Sequence, residues 1–124
     1  MAKILVIDDE QGIRHLLDTL LRRKGYEVVL ADGGRKGLEL FCRDRPDVVV
    51  LDLKMPEMDG LAVLRQIHSL DPKKPVIILT GAGTPEVEQQ VRALGVSEFV
   101  EKEFSLHRLG DALKRLLKTP TLAP

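Results

Sequence analysis

Short apolar runs rich in β-branched residues alternate along this chain with longer segments whose apolar positions recur every three or four residues. The first run, Lys3-Ile4-Leu5-Val6-Ile7, predicts a strand. Ile13, Leu16, Leu17, Leu20 and Leu21 then trace the buried stripe of a helix, which Gly25 closes. A second strand follows over Glu27–Ala31. Leu38, Leu40 and Phe41 mark a second helix from about Arg35 to Arg43. Pro46 blocks helical continuation before the run Asp47–Leu51. The second half repeats the alternation. Leu61, Leu64 and Ile67 predict a third helix ended by Asp71-Pro72, and Pro75–Leu79 a fourth strand. Thr84 is a good N-cap for a helix opening at Pro85 and ending at Gly95. Ser97–Glu101 gives a short fifth strand. Ser105 caps a last helix carrying Leu106, Leu109, Leu113, Leu116 and Leu117.

Strand–helix units in unbroken succession imply an α/β fold: a doubly wound, five-stranded parallel sheet with helices on both faces. The third and fourth runs are apolar almost throughout, as strands covered on both sides must be. The 124 residues suffice for one domain, expected over residues 1–119. Pro120 and Pro124 predict a frayed tail over residues 120–124.

Composition changes this picture little. Apolar residues make up 44% and charged residues 31%, as in a soluble globular protein. Lys plus Arg balances Asp plus Glu at 19 each, so whole-chain charge gives no reason to expect nucleic-acid binding. The single cysteine, Cys42, excludes an intramolecular disulfide and reads as a half-buried small hydrophobe within its helix. Charged residues arrive too early for a signal peptide. The apolar runs fall far short of the ~20 residues of a membrane span. The expected location is the cytoplasm, without membrane association.

In open parallel sheets, ligands bind beyond the carboxyl ends of the strands. Asp8, Asp9 and Glu10 follow the first predicted strand, and Asp52 the third. Thr80 and Gly81 follow the fourth, and Lys102 stands near the end of the fifth. Hard oxygen ligands suit Mg²⁺, and an ammonium and a hydroxyl suit phosphoryl oxygens. Each residue alone has a plainer explanation. The paired Asp could cap a helix, Asp52 could sit in a turn, Thr80 could bond its own backbone, and Lys102 could be a solvated surface lysine. Their joint occurrence after four strands favours a site. His15, His68 and His107 lie on different helices without metal-ligand spacing. Gly33-Gly34 and Gly81-Ala82-Gly83 are not phosphate-loop signatures. Arg22-Arg23-Lys24 suits a helix C-terminus.

The segments Ile7-Asp8-Asp9-Glu10, Leu51-Asp52-Leu53-Lys54-Met55-Pro56-Glu57-Met58-Asp59-Gly60, Leu79-Thr80-Gly81 and Phe99-Val100-Glu101-Lys102 resemble the receiver domain of two-component response regulators. The likeness covers nearly the whole chain. It implies a flavodoxin-like fold with sheet order 2-1-3-4-5 and five helices. It also implies a phosphoprotein in signal transduction rather than an enzyme. Asp52 would be the phosphoacceptor, charged by a phosphohistidine on a sensor histidine kinase or phosphotransfer protein. Asp9, Asp52 and the Lys54 backbone carbonyl would ligate Mg²⁺, with Asp8 acting through a bound water. Thr80 and Lys102 would bind phosphoryl oxygens. Phe99 would move inward as Thr80 swings to the phosphate, changing the face of the fourth helix, fifth strand and last helix. A downstream protein, an output domain or a second copy in a homodimer would read that face.

Two positions depart from the family pattern. Glu103 replaces the usual proline after the lysine. A non-proline cis bond costs roughly 2.5–4 kcal/mol, so Lys102–Glu103 is expected to be trans. Ala82 and Lys54 occupy the positions that tune acyl-phosphate hydrolysis, and Ala82, unable to orient a water, implies a longer-lived phosphoryl group. Two other functions compete: an aspartyl-phosphate hydrolase, and a phosphate-independent binding module. The hydrolases need a second Asp two residues after the nucleophile, where this chain has Lys54. The complete acidic set argues against the binding module.

Overall fold

The computed structural model describes residues 1–81, 83–102 and 105–117, apart from the side chains of Ser105 and Leu106. Ala82, Glu103 with its bond to Lys102, the Ser105 cap and the tail from residue 118 therefore lie outside the described residues. The elements alternate as expected: β1 (Lys3–Ile7), α1 (Gln11–Arg23), β2 (Glu27–Ala31), α2 (Gly34–Asp44), β3 (Val48–Leu51), α3 (Gly60–Leu70), β4 (Val76–Thr80), α4 (Pro85–Ala93), β5 (Glu98–Glu101) and α5 (Ser105–Leu116). All strand pairs are parallel, in the order β2-β1-β3-β4-β5.

Successive strand side chains point to opposite faces, and this alternation divides the core in two. Leu5, Ile7, Val49, Leu51, Ile78 and Phe99 pack with α2, α3 and α4 through Leu40, Phe41, Val63, Leu64, Ile67 and Val91. Ile4, Val6, Val48, Val50, Ile77, Leu79 and Val100 pack with α1 and α5 through Leu17, Leu21, Leu109, Ala112 and Leu113. Fully burying such a side chain contributes about 1.5–3 kcal/mol, so both faces share in holding the sheet.

Local chemistry sets the helix ends. Gly25 adopts φ +94° and lets Tyr26 N–H donate to the Leu21 carbonyl at 3.1 Å, closing α1. Thr84 Oγ accepts from Val87 N–H at 3.1 Å and caps α4 ahead of Pro85. Three strands differ from expectation by one residue. Asp47 lies outside β3, its N–H donating to the Lys3 carbonyl at 2.8 Å and its carboxylate accepting from Lys3 N–H at 2.7 Å. Pro75 has no N–H to donate, so β4 begins at Val76 and keeps Thr80 as its last residue. β5 starts at Glu98 rather than Ser97. Cys42 is exposed rather than half-buried, because the buried side of α2 is taken by Gly34, Gly37, Leu40 and Phe41.

Candidate functional site

β1 and β3 are neighbours in register, Ile7 beside Leu51, so their carboxyl ends bring Asp8 and Asp52 together. The ladder continues through both residues. Asp8 N–H donates to the Ala31 carbonyl at 3.1 Å, and Asp52 N–H to the Ile7 carbonyl at 2.9 Å. Both carboxylates are buried, at 2% and 3% exposure. Asp9 and Glu10 complete the group, with one carboxylate oxygen from each of the four residues within 4.8 Å of one another.

The backbone after Asp52 folds back over the strand end. Gly60 N–H donates to the Leu53 carbonyl at 2.8 Å. A Cβ on Gly60 would lie 2.4 Å from the Asp52 carbonyl oxygen and 2.5 Å from Leu53 Cα, so only glycine permits this approach. Asp59 then caps α3 by accepting from Ala62 N–H at 2.9 Å. Lys54 N–H donates to Asp52 Oδ1 at 3.3 Å, orienting that carboxylate from its own loop.

Lys102, at the end of β5, reaches across β4 into the acidic group. Its Nζ lies 3.2 Å from Asp8 Oδ2 and 3.3 Å from Asp52 Oδ2, and it is also bonded to Glu10 Oε1. Burial works against this ammonium, but the Glu10 hydrogen bond and the Asp8 and Asp52 charges outweigh it and raise its pKa above the ordinary lysine value. Asp8 is pushed up from 3.8 to about 6, chiefly by burial. The Glu10 N–H, donating to Asp8 Oδ1 at 2.9 Å, opposes that shift, while the Asp52 charge adds to it. Mutual repulsion of the carboxylates is thus real but secondary to desolvation.

The cleft above these groups has a volume of about 280 Å³ and is lined by Asp9, Glu10, Asp52, Lys54, Gly81 and Lys102. A larger cavity of about 390 Å³ lies apart from the acidic group, between Met55–Met58 and the start of α2. Thr80 is fully buried and does not line the cleft. Phe99 is buried in the core, at 6% exposure. A Cβ on Gly83 would come within 2.9 Å of its ring, which shows how closely the loop before α4 covers it.

Every candidate carboxylate expected from the sequence, together with Lys102, falls in one cluster. Sequence reasoning placed Glu10 with the acidic group but missed Arg14, whose Nη1 donates to the Asp8 carbonyl at 2.8 Å. Arg14 lies four residues after Glu10, its N–H donating to the Glu10 carbonyl at 3.0 Å, and that spacing was the available signal. Oxygen-only carboxylate donors around a buried core fit a hard divalent cation, with Lys102 supplying countercharge among them.

A family model, the response regulator receiver domain, matches residues 4–114. Sporulation initiation phosphotransferase F of Bacillus subtilis is 36% identical over 115 residues, 93% of each chain. Response regulator MprA of Mycolicibacterium vanbaalenii is 40% identical over 97% of this chain, which spans only 52% of MprA. The response regulator protein TrrA from Thermotoga maritima, solved in complex with Mg²⁺-BeF, superposes with a TM-score of 0.85 at 34% identity, covering 94% of this chain and 99% of that one. On the extent of these matches, and on the fold and acidic cluster that accompany them, the chain belongs to the response regulator receiver domain family.

Proposed function

We propose that this domain accepts a phosphoryl group on Asp52 from a phosphohistidine of a sensor histidine kinase or phosphotransfer protein. The observation that carries this reading is the Asp52 carboxylate, buried yet opening into a cleft beside three further carboxylates and a lysine ammonium 3.3 Å away. Asp8, Asp9, Asp52 and the Lys54 backbone carbonyl would hold Mg²⁺, which supplies charge neutralisation when an anionic nucleophile meets an anionic donor. That TrrA was solved with Mg²⁺-BeF supports this choice of ion and ligand.

The chain's own residues do the rest. Asp52 oxygen forms a bond to phosphorus as the P–N bond breaks, its electron pair leaving on the imidazole nitrogen, which takes up a proton. Lys54 N–H and Lys102 hold the Asp52 carboxylate in place for that attack. Lys102 and Thr80 then bind the phosphoryl oxygens, which requires the buried Thr80 hydroxyl to turn toward the cleft. Such a turn would be felt by Phe99, since Ile78 of β4 pairs with Phe99 and Thr80 with Glu101. The face formed by α4, β5 and α5 would carry the result to a downstream partner, an output domain or a homodimer mate.

The role is that of a signalling switch, and its proposed place is the cytoplasm. Among the described residues no helix is long and apolar enough to cross a membrane. Incubation with acetyl phosphate and Mg²⁺ should add the mass of one phosphoryl group to the native chain and none to Asp52→Asn. Equal labelling of the two proteins would overturn the assignment.

A further inference from the structure

Glu10 has no part in the chemistry proposed above, yet its carboxylate is bonded to the Lys102 ammonium. Its N–H also donates to Asp8 Oδ1 at 2.9 Å, so backbone and side chain tie it to two members of the site. The Glu10 side chain is 57% exposed and that of Lys102 only 13%, which puts Glu10 at the solvent edge of the cleft it helps to line.

An ammonium has three N–H donors, and Asp8, Asp52 and Glu10 all compete for those of Lys102. A phosphoryl group on Asp52 brings about two negative charges and further acceptor oxygens. Lys102 must then turn from one partner to reach it. Withdrawing from Asp8 would leave a buried carboxylate uncompensated, which is strongly unfavourable. Withdrawing from Glu10 costs far less, because water solvates the exposed carboxylate.

Building on the reading of Asp52 as phosphoacceptor, we infer that Glu10 is a positioning residue whose carboxylate holds the Lys102 ammonium at the mouth of the cleft until a phosphoryl oxygen displaces it. Glu10 thereby slows phosphoryl capture by roughly the two- to fivefold worth of a half-exposed ion pair. Removing its charge releases Lys102 from this one contact and leaves Asp8, Asp9 and Asp52 in place.

Two measurements on native chain and Glu10→Gln test this. In metal-free protein, ¹⁵N NMR of the Lys102 ammonium should show faster proton exchange in Glu10→Gln, and unchanged exchange would overturn the resting contact. With saturating Mg²⁺, which keeps any change in cation affinity out of the comparison, acetyl phosphate should phosphorylate Glu10→Gln about two- to fivefold faster. The gain should vanish when Lys102→Met is added to both chains. An unchanged or slower rate in Glu10→Gln would refute the inference. So would an equal gain with Lys102→Met, since the Glu10 charge would then act on the donor directly. Failure of the native chain to take up phosphoryl would instead refute the reading of Asp52, and that result is visible before any variant is compared.

Discussion

In the metal-free domain, raising the pH from 4.5 to 7.5 should cost stability through one residue, Asp8. Its carboxyl is buried at 2% exposure and titrates at about 6 in the folded state, against 3.8 when solvated. Between those values the folded chain holds a proton that the unfolded chain has released. Stability from Asp8 is therefore fully present below the unfolded value and is lost as pH rises through about 6. At 1.36 kcal/mol per tenfold change, the displacement is worth about 3 kcal/mol at most, a large share of the 5–15 kcal/mol typical of a domain. The Asp8→Asn variant removes this titration while keeping nearly the same volume. Urea unfolding in a chelator should show Asp8→Asn more stable than native by about 1 kcal/mol at pH 4.5 and by about 3 kcal/mol at pH 7.5. Asp52→Asn should reduce the pH dependence only in part, because burial outranks the Asp52 charge among its causes. A stability difference between Asp8→Asn and native that stays constant from pH 4.5 to 7.5 would refute the reasoning.

Other consequences are open to simple measurements. Mg²⁺ should stabilise the domain by binding only the folded state, by about 2.7 kcal/mol at a hundredfold excess over Kd, and so raise the melting temperature, and Asp52→Asn should weaken the effect; melts insensitive to Mg²⁺ would contradict the site. Gly60→Ala should destabilise by about 1–3 kcal/mol in urea titration and slow phosphorylation, since its Cβ would meet Asp52 backbone at 2.4 Å; native stability would contradict that packing. Amide shifts on adding beryllofluoride should spread from Thr80 to Phe99 and α5. Shifts confined to the neighbours of Asp52 would mean the domain does not relay its state by that route.

Features governed by neighbouring residues were legible in the sequence. Gly25 ends α1 and Thr84-Pro85 opens α4, because caps depend on local backbone chemistry. The apolar runs of β3 and β4 announced strands covered on both faces. Strand order was different. Periodicity says nothing about which strands adjoin, and the order came from the family resemblance. The approach of Asp8 to Asp52 depends on that order, so the acidic pair became a site only in that context. Cys42 was misplaced because Gly34 and Gly37, on the buried side of α2, carry no hydrophobic signal and leave the phase of the helix poorly marked. The Glu10–Lys102 pair joins residues 92 apart and involves an exposed glutamate, which sequence alone cannot distinguish from any other.

The central claim is that one particular carboxylate, Asp52, carries the phosphoryl group. Its most direct test is to phosphorylate the native chain with acetyl phosphate and Mg²⁺, reduce the product with borohydride, and sequence the peptides by tandem mass spectrometry. Borohydride converts an aspartyl phosphate to homoserine, marking the acceptor position covalently. The account predicts homoserine at position 52 and aspartate retained at positions 8 and 9. Homoserine at position 8 or 9, or at no position in a chain that binds Mg²⁺, would contradict it.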